Sequence, residues 1–236
     1  MALGRAGTMK LLDRAVSLDE TSRRRMFFLP SSIFLSEAVE RVAGSNIMLG
    51  SQGCSVHDEG AFTGEISAKM IAEVGADFVM VGHFEQVMKG ETLGNSIEQS
   101  LRATEAGLKV LFCIGEATVA IEPRELGDLK ASLDALVAEL DLPPWVIAYE
   151  PHWAIGERGS LPDLPYLRLR LESLRAALDE RGWRAVPVVY GGSVNAANAT
   201  EIDGIAGCDG LFVGRAAWAP EALEGLVNLL TERGQH

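Results

Sequence analysis

Glu150 and His83 are the side chains of this sequence whose type and context suit them to move a proton. Glu150 sits in the string Ala148-Tyr149-Glu150-Pro151-His152-Trp153-Ala154-Ile155-Gly156, where strand-forming residues end in a carboxylate, a proline and an apolar loop closed by glycine. Residues 145–149 read as a strand, which puts Glu150 at its carboxyl end, where parallel α/β folds carry their reactive groups. Pro151 fixes the backbone just beyond the carboxylate, and Gly156 gives a permissive position in a loop able to fold over a ligand. His83 follows Gly82 after a second apolar run at 78–81. Abstracting a proton from carbon beside a carbonyl needs a carboxylate base, a donor aimed at the oxygen where charge develops, and a fixed cation. Lys10 is the candidate cation. Each residue also has a plainer reading: Glu150 as a helix cap, His83 as a packed core histidine, Lys10 as a solvated helix lysine.

Side chains of this kind act only if strands hold them. Apolar runs at 26–29, 46–49, 78–81, 110–114, 145–149, 186–190 and 211–213 are continuous rather than alternating, as in parallel strands buried on both faces. An eighth run, at 3–9, is counted as the first strand although Gly4, Arg5 and Gly7 interrupt it. Between the runs, Leu35, Val39 and Val42 fall at helical spacing, as do Leu126, Leu129, Leu133, Leu136 and Leu140. Leu167, Leu171, Leu174 and Leu178 repeat the pattern, and Leu223, Leu226, Val227 and Leu230 close it. The alternation predicts an α/β fold of right-handed crossovers, either a closed barrel or an open doubly wound sheet.

Composition narrows the partners. The 236 residues fit one α/β barrel of roughly 250, and with no Ser/Gly linker or low-complexity tract the expectation is a single domain over 1–236. A net charge of -12 excludes nucleic acid and an anionic membrane as partners, since both need a basic footprint. Cys54, Cys113 and Cys208 are odd in number and far apart, which argues against a disulfide framework or a metal site and for a reducing cytoplasm. No apolar run reaches bilayer length, and the arginine-flanked start has no signal-peptide core.

The strand ends decide between barrel and open sheet. Residues 60–67, Gly-Ala-Phe-Thr-Gly-Glu-Ile-Ser, follow the third strand, and Gly82-His83 the fourth. Cys113-Ile114-Gly115-Glu116 ends the fifth, the Glu150 string the sixth, Tyr190-Gly191-Gly192-Ser193-Val194-Asn195 the seventh, and Gly210-Leu211-Phe212-Val213-Gly214-Arg215 covers the eighth. In order and spacing this series resembles the triosephosphate isomerases. The resemblance implies a (β/α)8 TIM barrel with trimmed outer helices, Glu150 as base, His83 as neutral electrophile and Lys10 as cation, with Glu85 and Cys113 supporting and no cofactor. Barrels of this type hold phosphate on backbone N–H groups after the last two strands, here Gly191, Gly192 and Ser193 with Gly214 and Arg215. Gly156 joins them by resemblance when the lid closes. For either glycine loop alone, a tight strand-to-helix turn is the better explanation; the two loops together with the lid favour phosphate.

The resemblance also implies a homodimer, because in this family the loop at 60–67 reaches into the neighbouring subunit. Phe62, Thr63 and Glu65 are its contact candidates, and a plain surface loop has no need of Phe62. Several positions depart from the family pattern. Thr8-Met9-Lys10 stands for Asn-Trp-Lys, so Thr8 replaces a substrate-holding amide. Gly82-His83-Phe84-Glu85-Gln86 stands for Gly-His-Ser-Glu-Arg, which removes a hydroxyl partner of the base, and His152 stands for a hinge valine. Gly214-Arg215 replaces a Gly-Gly pair. The Glu157-Arg158-Gly159 lid and the ending at Arg215 to Trp218 are similar to the branch that isomerises L-erythrulose 1-phosphate. The expected substrate is a phosphorylated three-carbon sugar, glyceraldehyde 3-phosphate and its ketose isomer, with the four-carbon sugar as alternative. Arg215 could contact the longer sugar or pair with a surface carboxylate. The changes at 8, 84 and 152 leave a third reading, a weakly active relative that binds phosphorylated ligands.

Overall fold

A computed structural model describes residues 3–23, 26–120, 122, 126–155 and 159–233. Seven parallel strands follow one another in chain order: β1 (Phe27–Phe28), β2 (Met48–Ser51), β3 (Phe78–Val81), β4 (Lys109–Ile114), β5 (Val146–Tyr149), β6 (Val188–Gly191) and β7 (Gly210–Phe212). All seven continuous apolar runs therefore form strands, with ends shifted by one or two residues. Every residue of β3, β5 and β6 is buried, the condition that continuous apolar strands satisfy.

The expected strand at 3–9 is overturned. Arg5–Ser17 is a helix, and its buried residues are Thr8, Met9, Leu11, Leu12 and Ala15. That set follows a period near 3.6; a strand's period of 2 would have buried Gly7, Met9 and Leu11 on one face. Arg5 holds the outer face by a paired contact to Glu37, both nitrogens at 2.6 Å from its carboxylate oxygens. Gly4 and Gly7, which weaken a strand, sit before and within the first turn of the helix.

The chain divides into two compact units. The first comprises residues 1–81, 98–110 and 214–236, the second residues 82–97 and 111–213. In the first, the Arg5–Ser17 helix packs against helices Leu35–Val42 and Pro220–Arg233, with Arg14 paired to Glu224. In the second, β4, β5 and β6 lie in register so that Ile114 neighbours Tyr149 and Tyr149 neighbours Tyr190. One step further along each strand stand Gly115, Glu150 and Gly191, side by side. Helix Leu164–Glu180 starts on Asp163, whose carboxylate accepts from Tyr166 N at 2.7 Å, with Pro165 in the first turn where its missing N–H costs nothing. It buries Leu167, Arg170, Leu171, Leu174, Ala177 and Leu178.

Close packing of β2 on β3 in the first unit rests on a missing side chain. A Cβ at Gly50 would stand 2.4 Å from the fully buried ring of Phe78. Gly50→Ala is expected to destabilise the protein by about 1–3 kcal/mol through overpacking. Urea unfolding measures it; an unchanged midpoint would show that the ring moves aside freely.

Candidate active site

The second unit brings Glu150, His83, Cys113 and Gly191 together. Strand β5 carries Glu150 immediately beyond Tyr149, and its N–H donates to the Ile114 carbonyl at 2.8 Å, continuing the ladder with β4 by one residue. Gly115 makes this possible: a Cβ there would lie 1.9 Å from the Glu150 carbonyl oxygen. The carboxylate seat needs a second glycine. A Cβ on Gly191 would meet Oε1 of Glu150 at 2.5 Å. Glu150 is thus packed between two strand ends stripped of side chains, and only 5% of it is exposed.

His83 reaches the same place from β3. Gly82 has φ +71°, and a Cβ there would lie 2.8 Å from the Cys113 carbonyl oxygen, so conformation and space both require glycine. Its N–H donates to Glu91 Oε1 at 3.1 Å, and the Ser96 hydroxyl donates to the same oxygen at 2.7 Å. His83 then caps the short helix Phe84–Val87, Nδ1 accepting from Glu85 N at 3.2 Å. A nitrogen that accepts bears no proton, so the ring proton is on Nε2. That atom faces Glu150 Oε2 at 3.5 Å. Oε2 is buried and makes no hydrogen bond.

Burial pushes the Glu150 carboxyl up from its ordinary range, while His83 and a hydrogen bond from the Cys113 thiol pull it partly back and the charge of Glu85 adds a further lift. The Cys113 thiol is itself raised well above its usual range, first by burial and then by the neighbouring Glu150 charge, so it stays protonated and serves as donor. Glu85 gives its backbone N–H to His83, and Cys113 gives its thiol to the Glu150 carboxylate. Glu85's own side chain is exposed.

Behind the base lies a polar cluster that sequence reasoning passed over. Glu116 Oε1 accepts from the hydroxyls of Tyr149 at 2.8 Å and Tyr166 at 2.9 Å, and Oε2 pairs with Arg170 Nη2 at 3.4 Å. Arg170 is only 1% exposed. The Glu116 carbonyl accepts from His152 N at 2.9 Å, so the cluster grips the chain on both sides of Glu150, at 149 and at 152. Glu116 was visible at the end of the Cys-Ile-Gly-Glu string, and Glu91 had no signal beyond its charge.

Other expected residues are placed as follows. Ser193, at φ +51°, sets its hydroxyl 2.8 Å from the Ala154 carbonyl and 3.2 Å from that of Gly159, tying together the two flanks of the lid. Gly192 lies against Tyr190, whose hydroxyl would be 2.7 Å from an added Cβ. Gly156 lies outside the described residues, with Glu157 and Arg158. Thr8 and Lys10 sit in the first unit on helix Arg5–Ser17, Thr8 buried and Lys10 exposed, so Lys10 does not follow a strand. Gly214 and Arg215 begin the turn Arg215–Ala217 of the first unit, both exposed. Phe62, Thr63 and Glu65 are exposed in their loop; Phe62 stacks on His57 at 3.6 Å, and Glu65 accepts from the Ser55 hydroxyl.

A desolvated carboxylate with a free oxygen beside an imidazole N–H, at the carboxyl ends of parallel strands, is the equipment of an enzyme that shifts a proton next to a carbonyl. Comparisons with known proteins give the family. The profile of the family described as triosephosphate isomerase matches residues 4–230. L-erythrulose-1-phosphate isomerase of Brucella abortus biovar 1 (strain 9-941) is 34% identical over 216 residues, covering 86% of this chain and 81% of that protein. Triosephosphate isomerase of Chlorobium phaeobacteroides (strain BS1) is 35% identical over 209 residues, 84% of this chain and 82% of that one. The enzyme of that name from Lactobacillus helveticus (strain DPC 4571) is 34% identical over 223 residues, 89% and 87%. The chain is an isomerase with the (β/α)8 fold class. It belongs to the triosephosphate isomerase family.

The raised Glu150 carboxyl is directly measurable. In a 13C titration of the ligand-free protein, the resonance that disappears in Glu150→Gln should titrate above the ordinary glutamate value of about 4.3. A midpoint at or below that value would contradict the burial argument.

Proposed function

We propose that the protein interconverts an aldose phosphate and its ketose isomer, with triose phosphate as substrate, through an enediolate. Glu150 takes the proton from the carbon beside the carbonyl, and the His83 Nε2–H donates to the carbonyl oxygen as negative charge gathers there. The same carboxyl then returns its proton to the neighbouring carbon, while His83 passes its Nε2 proton to the former carbonyl oxygen and takes up that of the neighbouring hydroxyl, so that the new carbonyl forms and the isomerisation completes without net gain or loss of atoms. The observation carrying this reading is the buried, unpartnered Oε2 of Glu150 facing Nε2 of His83. The phosphate is held by backbone N–H groups of the 191–193 loop, where the absence of side chains on Gly191 and Gly192 lets the oxygens approach.

A second reading, L-erythrulose 1-phosphate as substrate, is supported by the relatives of that name at the same level of identity as the triose enzymes. In both the proton moves between the carbonyl carbon and an adjacent hydroxyl-bearing carbon, which in L-erythrulose 1-phosphate are C2 and C3, because C1 carries the phosphate. Side-by-side assays with glyceraldehyde 3-phosphate and L-erythrulose 1-phosphate separate them through kcat/KM. With the better substrate, Glu150→Gln is expected to keep the fold, by circular dichroism, and to lose about 100- to 10,000-fold in kcat. Near-full activity in the folded variant would remove Glu150 as the base.

We also propose a cytoplasmic homodimer. Phe62 is 41% exposed at the tip of the loop at 60–67, an apolar ring that a partner surface would cover. Phe62→Asp should place an unpaired charge in that contact and shift the protein toward monomer in sedimentation, with activity falling alongside. A fully active dimer in the variant would assign the loop another role.

A further inference from the structure

Two positions that depart from the family pattern touch one another. Phe84 stands directly after His83, and His152 stands two residues after Glu150. Their rings lie 4.9 Å apart at an interplanar angle of 39°, a tilted contact within the preferred range for aromatic pairs. The same two segments are therefore joined twice. One link is the functional pair, His83 Nε2 to Glu150 Oε2 at 3.5 Å, and the other is the ring pair one residue further on the first segment and two on the second.

Each ring is seated by its own backbone. Phe84 opens the helix Phe84–Val87 whose cap is His83, so its backbone place beside the histidine is set by the cap. His152 opens the turn His152–Ala154, with its N–H held by the Glu116 carbonyl at 2.9 Å and its Cδ2 3.0 Å from the place of a Gly115 Cβ. Burial lowers the proton affinity of His152, with Glu116 opposing and His83 adding to the effect, which favours the neutral ring that packs well on phenyl. A phenyl at 84 offers no hydrogen bond, so it presents no rival donor to the base. The carboxylate is left with the Cys113 thiol and the N–H of His83.

We propose that Phe84 and His152 are a coupled pair of positioning residues, whose ring contact keeps the His83 and Glu150 segments in step so that the carboxylate rests against Nε2 before substrate arrives. Neither ring touches the reacting atoms; both act through their neighbours. The proposal rests on the reading of Glu150 as base and His83 as donor. It treats the two departures as one unit: with either ring replaced, the other loses its partner, and replacing both removes the same contact.

The test is a double-mutant cycle on the full chain with Phe84→Ser, His152→Val and the double variant, together with His152→Phe, which keeps a ring. Each of the two single variants is expected to lose about tenfold to a hundredfold in kcat, as a misplaced base does, with KM nearly unchanged. The double variant should lose no more than the worse single, and His152→Phe should hold kcat near that of the parent protein. Losses that multiply in the double variant, or singles with parental kcat, overturn the coupling. Imidazole 15N–1H spectra give a readout independent of turnover. The His83 resonances should move in both singles, move no further in the double variant and stay in place in His152→Phe, and an unmoved His83 in the singles overturns the proposal. Should the parent protein isomerise neither sugar, the functional reading falls, and the His83 resonances alone decide the ring pair.

Discussion

Burying the Glu150 carboxylate is the constraint around which the second unit is arranged. Taking an ionised carboxylate out of water costs several kcal/mol unless charge and hydrogen bonds replace the solvent. Here the replacement is partial: the Cys113 thiol hydrogen-bonds the carboxylate, while Oε2 makes no hydrogen bond and has only Nε2 of His83 facing it at 3.5 Å. The residual cost raises the proton affinity of the carboxyl above that of a surface glutamate. Stability carries the opposite sign. A carboxyl whose folded affinity for the proton exceeds its unfolded one favours the folded state fully below the unfolded value, and that advantage is lost as pH rises through the raised folded value. Ionising Glu150 therefore costs stability, and the surrounding packing must hold the site together.

Much of that packing comes from the Glu116 cluster. A buried ion pair contributes little net stability over apolar residues of the same shape, since desolvation offsets attraction. Its value is geometric. Glu116 binds the residue before the base through the Tyr149 hydroxyl and the residue two after it through the His152 N–H, while Arg170 and Tyr166 fix Glu116 from helix Leu164–Glu180. Removing Arg170 would leave a buried carboxylate without its cation, the costly half of such a pair. The Phe84 to His152 contact then links this frame to the histidine segment.

How legible this was in the sequence depends on what each residue is used for. Strands β3 to β6 were readable because residues buried on both faces must be apolar without alternation. The 3–9 segment misled because its apolar residues were few and the strand count invited an eighth; the helical set Thr8, Met9, Leu11, Leu12 and Ala15 continues past where that reading stopped. Arg170 was hidden by the rule that found its helix. It falls three residues after Leu167 and four before Leu174, on the buried face, but a pattern search takes an arginine as a break in the stripe. Gly191 was assigned to phosphate by its position in the loop, and its packing adds a second duty that no pattern encodes, because the clash it avoids is with a side chain 41 residues away in sequence.

The histidine shows how a structural duty can set a chemical one. Helix caps are usually Ser, Thr, Asp or Asn, whose oxygens accept from the first turn. At the start of Phe84–Val87 the acceptor is Nδ1 of His83, receiving from Glu85 N at 3.2 Å. An imidazole that accepts at Nδ1 presents its other nitrogen, Nε2, toward Glu150. The cap, the glycine turn at 82 and the ring behind at 84 thus bear on one atom, Nε2 of His83, and on its distance from the carboxylate.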